Sequence, residues 1–497
     1  MRFLSDEELA RVKPAETAAF PSPIPVQIVS SEEYLPTPQT PRQREVQARL
    51  VAFSDVQAKR LGLSRRRFFQ TAAGMAAAFV AMNETYGSLY AASRAEAAEP
   101  ERAEARAAAL RDQFIMDVHT HFLRDDTRIT TFVRQREAVG RAGWNRALAD
   151  RPQTIEDLKF NNYFKEIYLD SDTKVAMISS APSEVPEDWF LTNEMTVAAR
   201  KRVNDAAGSR RMLAHAIFTP GYPGWMEQVD QAIEVLKPDA FKGYTIGDNT
   251  HKDLSRHPWR LDDEKLVYPA YEKFLRAGLR NVCIHKGLFA PALDARYPNL
   301  RPFADVRDVA KAAKDWPQLN FIIYHGGYRH VGGDPAAAMR EFDETGRSSW
   351  VSDLAEIPEK HGVANVYADV GQLFAHSTVA QPRLCAALMG ILVKGLGADH
   401  VCWGTDAIWT GSPQWQIEAL RRLEIPEDMQ RRHGFAPLGP ADGPVKSAIF
   451  GGNNQRLYNY QRQAELGQPD RFARLKADYD RAGGDRSNLR YGYVLNA

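Results

Sequence analysis

The sequence contains few cysteines and no excess of charge of either sign. Only three cysteines, Cys283, Cys385 and Cys402, occur in 497 residues, so the fold does not depend on a network of disulfides. The 64 lysines and arginines balance 63 aspartates and glutamates, which leaves a formal net charge of +1. This balance gives no electrostatic indication of a nucleic-acid partner, and we predict none.

A long hydrophobic run is also lacking, although residues 64–97 have the layout of an export signal. Arg65 and Arg66 precede Thr71–Met82, an apolar stretch that is rich in alanine and too short for a membrane span of about 20 apolar residues. The arginine pair resembles a twin-arginine signal, which the export machinery reads, and Ala95–Ala97 offers a cleavage site. We predict export to the periplasm by this route; a cytoplasmic or membrane-tethered protein with an uncleaved signal is the alternative.

The 63 residues before this signal are predicted to form no compact domain. Residues 14–42 are rich in proline and show no periodicity, so we expect them to be disordered. Residues 43–62 have the pattern of an amphipathic helix that leads up to the signal.

From residue 112 onward, short β-rich runs alternate with segments that are patterned as helices. Eight such units predict an α/β fold, a (β/α)8 TIM-like barrel over residues 112–458, followed by a helical tail over 459–497. An open doubly wound sheet is the alternative, but no Gly-rich dinucleotide fingerprint follows the first strand. The predicted strands are Phe114–Phe122, Val175–Pro182, Met212–Pro220, Ala240–Ile246, Asn281–Gly287, Asn320–Gly327, Asn365–Gly371 and His400–Ala407.

A long insertion follows the first predicted strand. Leu123–Lys174 is far longer than a typical connection and includes Trp144, Tyr163 and Phe164. Because it leaves the carboxyl end of its strand, it should lie over the mouth of the barrel, where active sites form. We predict a lid or a substrate wall; a surface insertion without a role is the alternative.

Histidine or aspartate stands at the end of four predicted strands. His119 and His121 end the first strand and share one face, because alternate residues of a strand point the same way. Buried polar side chains need partners, so the set predicts a site for a divalent metal ion. Imidazole and carboxylate ligands fit zinc best, with iron, cobalt or manganese as alternatives. The later members of the set are His285, His325 and Asp406.

Six short motifs follow one another along residues 114–460: Asp117–His121, Phe241–Tyr244, Ile284-His285, Tyr324–Gly327, Gly404–Asp406 and Ile449–Asn453. In this order they resemble the amidohydrolase superfamily, most closely the amidohydrolase-related branch that includes aminocarboxymuconate-semialdehyde decarboxylase. The resemblance implies that His119, His121, His285 and Asp406 are ligands of one divalent metal. It also implies that Asp406 and His325 are catalytic.

Several further residues have predicted roles outside the set of metal ligands. A carboxylated lysine bridges two metals in other branches of the superfamily, so a second metal bridged by Lys242 is the alternative to a single ion. Arg329 and Trp409 are candidates for contacts with the substrate. Gly451–Asn453 is predicted to cap the start of the last helix. The remaining histidines considered, His251, His257, His330 and His376, match no motif and are predicted to lie on the surface or in loops.

The resemblance implies a hydrolase that uses a metal-activated water to cleave an amide, ester or related bond of a small molecule. Non-oxidative decarboxylation of an aromatic or unsaturated carboxylic acid is the alternative, because the same residues serve either reaction. A non-catalytic exported binding protein is a third interpretation. Predicted export favours hydrolysis, and a homo-oligomer is compatible with the sequence.

Overall fold

Eight parallel strands, paired in chain order, form the centre of the computed structural model. The structure describes residues 22–31, 33–127, 129–143, 146–149, 152–330, 334–466 and 470–484. The strands are β1 (Met116–Thr120), β2 (Val175–Ile178), β3 (Met212–Ile217), β4 (Ala240–Tyr244), β5 (Asn281–His285), β6 (Asn320–Tyr324), β7 (Val366–Asp369) and β8 (Val401–Cys402).

The chain closes the barrel where the segment after β8 meets β1. The amides of Val118 and His121 donate to the carbonyls of Trp403 and Ala407, at 3.1 and 2.6 Å. Apolar side chains cover both faces of the sheet, as parallel strands require. The predicted (β/α)8 barrel and its eight strands are therefore confirmed, although each strand is shorter than predicted.

Helices surround the strands and extend beyond them at both ends of the chain. Before β1 lie α1 (Pro41–Arg60), α2 (Arg65–Phe69), α3 (Ala72–Tyr86), α4 (Arg94–Ala98) and α5 (Pro100–Leu110). The later helices are α6 (Thr130–Arg141), α7 (Arg146–Ala149), α8 (Phe160–Phe164), α9 (Asn193–Ala207), α10 (Trp225–Gln231), α11 (Tyr268–Arg276), α12 (Pro291–Arg296), α13 (Arg301–Ala304), α14 (Val309–Asp315), α15 (Pro335–Thr345), α16 (Val351–Ala355), α17 (Ile357–His361), α18 (Gly371–Ala380), α19 (Pro382–Leu396), α20 (Gln414–Arg422), α21 (Glu427–His433), α22 (Pro444–Ser447), α23 (Asn453–Leu457), α24 (Arg462–Leu466) and α25 (Arg471–Arg481). Within the described residues, none of them combines the length and apolar character needed to cross a membrane.

The N-terminal segment packs against the barrel, and the predicted disorder of residues 14–42 is wrong for 22–31 and 33–42. Ile24, Val26 and Ile28 are buried, and the first two belong to the main hydrophobic core. The prolines prevent regular secondary structure, but an irregular chain can still bury apolar side chains between them. The predicted helix over residues 43–62 is present as α1, whose Thr40 hydroxyl caps its first turn. Residues 1–21 lie outside the described residues.

The predicted signal segment also belongs to the folded structure. The apolar stretch forms α3, which is buried along most of its length. Arg65 and Arg66 are exposed on α2. Glu96, in the middle of the predicted cleavage site, is buried and pairs with Arg422 at 2.6 Å. Export and cleavage stay predictions.

The Gly451–Asn453 turn does not cap a helix, and that prediction is wrong. A π-helical turn, Ala448–Gly452, continues directly into α23, and Asn453 has helical dihedral angles. The side-chain amides of Asn453 and Asn454 instead donate to backbone carbonyls of Val401 and Met116, at 2.7 and 2.6 Å. The helix therefore ties β8 to β1 at the base of the barrel.

Candidate metal centre and active site

Three side chains from the ends of β1 and β8 meet inside the barrel mouth. Nε2 of His119 lies 3.0 Å from Oδ1 of Asp406, and Nε2 of His121 lies 3.3 Å from the same oxygen. All three side chains are buried. The backbone contributes to this placement, because the pairing of β1 with β2 shifts register between Asp117 and Thr120, and such irregularities re-aim side chains.

The remaining ring nitrogens of these histidines are held by fixed partners. Nδ1 of His119 lies 3.0 Å from Oδ1 of Asp369, and Nδ1 of His121 lies 3.2 Å from the carbonyl oxygen of Ser179. With Nδ1–H donating to these oxygens, each Nε2 presents a lone pair to the cluster. Carboxylates and carbonyls orient metal-binding histidines in this way.

The spacing of the three atoms fits a shared divalent cation. For metal–ligand bonds of about 2.1 Å, neighbouring ligand atoms lie about 3.0 Å apart in an octahedral site and about 3.4 Å apart in a tetrahedral one. The two separations from Asp406 Oδ1 fall in this range. Nε2 of His119 is also buried without a hydrogen bond, a costly state that a cation would relieve.

His325 differs from His119 and His121 in which ring nitrogen carries the proton. Its Nδ1 accepts a hydrogen bond of 3.0 Å from the backbone amide of Gln372. A neutral imidazole then has its proton on Nε2, which is buried with no partner among the described residues. Its ring lies 4.9 Å from the ring of His119. His325 thus offers a hydrogen-bond donor next to the cluster rather than a lone pair.

Both predicted catalytic residues have strained backbones. His325 and Asp406 adopt φ angles of 58° and 59°, a left-handed conformation that is uncommon for residues other than glycine. Such strain persists where the surrounding structure fixes it, and it clusters at functional sites. Asp406 is further held by Gln372, whose Nε2 donates to Oδ2 at 2.9 Å.

His285 lies in a neighbouring group, with His325 and Glu33, rather than directly beside His119 and His121. Its Nε2 is buried without a hydrogen bond, and its ring stacks on Tyr244 at 4.8 Å. The structure therefore brings together three of the four predicted ligands at one point and places the fourth next to them.

Lys242 points into the barrel beneath the cluster. Its Nζ lies 3.2 Å from the centre of the Tyr324 ring and has no hydrogen bond among the described residues. Burial lowers the pKa of Lys242 to about 7, so its amine readily loses its charge.

Burial also sets the charge state of the cluster. It lowers the pKa of His119 and His285 well below the usual range, and the nearby Lys242 lowers both further. Neutral imidazole is the form that binds metals. Burial alone would raise the pKa of Asp406, but the neighbouring His119 outweighs it and holds that pKa well below its usual range. His119 and His285 therefore favour the neutral form that can bind a metal.

Aromatic side chains form one wall of the site, next to His121. Trp409 stacks on the His121 ring at 5.5 Å with an angle of 16° between the planes. Phe190 and Phe132, the latter from the insertion, pack on Trp409 at 5.3 and 6.0 Å. The insertion thus contributes to this wall through Phe132, while Trp144 lies outside the described residues. Trp409 is placed where it can contact a substrate.

Arg329 is occupied by another partner. It forms an ion pair of 2.5 Å with Asp294, and its guanidinium lies over the ring of Trp350.

His251 and His330 pair with Asp188 and Glu341 away from the cluster. The prediction of a surface or loop position is wrong for His376, which is buried on α18 against the ring of Tyr34.

Two charged contributors to the site, Asp369 and Glu33, were not predicted from the sequence, nor was Gln372, which binds Asp406. Asp369 ends β7 after an apolar run, the same signal that identified His285, so the strand-end criterion could have found it. A side chain at position 404 would collide with its carboxylate, which explains Gly404 there. Glu33 lies in the irregular N-terminal segment, where no periodicity or motif singles it out.

Comparison with solved structures finds matches over about 70% of this chain. An uncharacterized TIM-barrel protein from Bordetella bronchiseptica is 15% identical over 69% of this chain and 98% of that chain, with a TM-score of 0.42. A 5-carboxyvanillate decarboxylase from Sphingomonas paucimobilis is 14% identical over 70% of this chain and 100% of that chain, with a TM-score of 0.40. A 2,6-dihydroxybenzoate decarboxylase from Rhizobium is 15% identical over 70% of this chain and 99% of that chain, with a TM-score of 0.39.

No curated protein matches the chain. The family model described as amidohydrolase matches residues 116–460, from the first residue of β1 to beyond α23. This range covers more than half of the chain and contains every strand of the barrel, together with His119, His121, His285, His325 and Asp406. The protein therefore belongs to the amidohydrolase family.

Proposed function

We propose that the protein is a metal-dependent enzyme that removes carbon dioxide from an aromatic or unsaturated carboxylic acid without oxidation. The observation that carries this proposal is the buried, aromatic lining of the cluster, in which Trp409 stacks on His121 and Tyr244 stacks on His285. Loss of CO2 turns a charged carboxylate into a neutral product, so surroundings that solvate charge poorly favour the step. Flat apolar walls also fit a planar acid.

A divalent cation at His119, His121 and Asp406 would hold oxygens of the substrate and stabilise negative charge on them. His325 donates its Nε2–H toward the same space and orients a substrate oxygen. Its pKa is lowered to about 3 by burial, so it stays neutral and acts as a hydrogen-bond donor rather than as an acid.

Asp406 is the group suited to move a proton. Its pKa is held well below the usual range, so it is ionised. A divalent cation at this site would lower the pKa of a hydroxyl of the substrate held beside it, so that Asp406 can take the hydroxyl proton. As the bond between the ring carbon and the carboxylate breaks, CO2 leaves, the electron pair stays on that carbon, and Asp406 returns the proton there. The oxyanion left on the product then takes a proton from solvent, which gives the neutral product. Gln372 keeps its second oxygen in place.

Hydrolysis of an amide or ester is the second candidate. It is favoured by the position of Asp406, whose Oδ1 lies within 3.3 Å of both histidines, where a base for a water molecule is needed. In that reaction the proton taken from water would pass to the leaving group.

Deuterium incorporation separates the two reactions. The metal-loaded protein would be incubated in D2O with a panel of hydroxybenzoic and unsaturated acids and with the matching amides and esters. Decarboxylation predicts CO2 release and one deuterium on the carbon that carried the carboxylate. A new carboxylate without deuterium on carbon would identify hydrolysis and overturn our first proposal.

We also propose a periplasmic location by twin-arginine export. The exposed Arg65 and Arg66 support it, whereas the burial of α3 weighs against removal of the signal. Cell fractionation with sequencing of the N-terminus tests it: a periplasmic protein is expected, and an exclusively cytoplasmic one would refute it.

A further inference from the structure

We infer that Glu33, from the N-terminal segment outside the family barrel, is a ligand of the metal centre on the side of His285. Its carboxylate lies in a group with Nε2 of His285 and a ring nitrogen of His325, all within 4.8 Å of one another. One charged group at the mouth of the barrel therefore comes from a segment that lies some 80 residues before β1.

The separation between Glu33 and His285 is that of two ligands rather than of a hydrogen bond. Oε1 of Glu33 lies 3.6 Å from Nε2 of His285, which is too far for a hydrogen bond. It is close to the distance of about 3.4 Å between two ligand atoms on one tetrahedral ion. His325 presents an N–H, so His285 and Glu33 supply the lone pairs on this side.

Nε2 of His285 and the second carboxylate oxygen of Glu33 lack other partners among the described residues, whereas the facing oxygen, Oε1, accepts one hydrogen bond from Asn249. Oε2 of Glu33 and Nε2 of His285 are each buried without a hydrogen bond. The side chain of Glu33 is 10% exposed, and an ionised carboxylate at that depth needs a compensating charge. A cation bound by both residues supplies it.

The position of Glu33 is fixed from both sides of the barrel mouth. Asn249, which follows β4, donates to Oε1 of Glu33 at 2.6 Å. The hydroxyl of Tyr34 donates to Oε1 of Gln372 at 3.1 Å, and Gln372 itself holds Asp406. Gln43 of α1 donates to the carbonyl of Val379 and anchors the following helix.

Metal titration of the full-length apoprotein tests this role. Mn2+ and Zn2+ binding would be measured by calorimetry for the wild type, Glu33→Gln and Glu45→Gln. Glu45 is an exposed carboxylate of the same segment that pairs with Arg49, so its variant is the matched control. We expect Glu33→Gln to weaken binding of the single ion at least about tenfold, while Glu45→Gln binds like the wild type.

Three results would overturn the inference. Equal affinity of Glu33→Gln and wild type would show that Glu33 is not a ligand, and would leave the proposed reaction standing. Unchanged metal affinity with tighter binding of benzoate would show that Glu33 fills the place of a substrate carboxylate instead. A wild type that binds neither ion would refute both this inference and the metal-dependent reaction. Circular dichroism of each variant checks that the fold is retained.

Discussion

Oδ1 of Asp369 lies 3.0 Å from Nδ1 of His119. Asp369 ends β7, and β8 lies between β7 and the strand of His119, β1. The same oxygen accepts the backbone amide of His325 at 3.3 Å. One carboxylate thus fixes a predicted metal ligand and the neighbouring predicted catalytic histidine. Burial raises the pKa of Asp369 well above its usual range, and a cation on the opposite side of the His119 ring would favour its ionised form.

The first prediction concerns this carboxylate. Asp369→Asn should lower metal affinity about 10- to 100-fold, because a neutral amide orients and polarises His119 less well than a carboxylate does. The measurement is competition with a chelator of known affinity. Asp205→Asn, at an exposed carboxylate that pairs with Lys201, is the control and should bind like the wild type. Equal affinities of both variants would show that Asp369 has no part in metal binding.

The second prediction concerns Asp406. Asp406→Asn should lower turnover of an acid identified in the substrate panel by at least about 100-fold, because the amide cannot accept and return a proton. Much of the metal should stay bound, since His119 and His121 remain oriented by Asp369 and Ser179. Turnover within a few-fold of the wild type in the metal-loaded variant would refute the proton-transfer role.

The third prediction concerns acid stability without metal. The pKa of His325 is lowered by burial to about 3 in the fold, against about 6.5 in an unfolded chain. Unfolding therefore takes up a proton between these values, so stability falls as pH drops from about 6.5 toward 3. The slope is about 1.4 kcal/mol per pH unit for each such histidine.

Urea unfolding of the metal-free protein from pH 7 to pH 4 measures this slope. His325→Asn removes one titrating group and should flatten the curve by one proton. Other buried histidines, including His119 and His285, contribute in the same direction and keep a residual slope. An identical slope in the variant would show that His325 is already protonated in the fold.

The fourth prediction concerns the segment that precedes the barrel. Glu96→Gln should destabilise the fold by about 3 kcal/mol, because it removes one partner of a buried ion pair and leaves Arg422 with Glu418 alone. Glu101→Gln, at an exposed position on α5, is the control and should change stability little. Equal denaturation midpoints of Glu96→Gln and the wild type would indicate that the segment is not packed against the barrel as described. Cleavage near residue 97 would give that result.

The sequence predicted the barrel and its rim because both depend on local patterns. Continuous apolar runs predicted the buried parallel strands, and a polar residue at the end of such a run marks the mouth. That criterion identified His285, His325 and Asp406, and it applies equally to Asp369. Residues 22–31 and 33–42, among them Glu33, escaped it because an irregular, proline-rich segment buries its side chains through tertiary contacts alone. The role of Asn453 was mistaken because the turn before it is helical rather than a helix boundary.

Metal content of the purified protein tests the proposed centre most directly. Elemental analysis after loading with Mn2+ or Zn2+ and removal of free metal should give close to one equivalent in the wild type. The double variant His119→Asn/His121→Asn should retain far less, with an unchanged circular dichroism spectrum. Two equivalents in the wild type, or the same content in the double variant, would contradict a single ion bound by His119, His121 and Asp406.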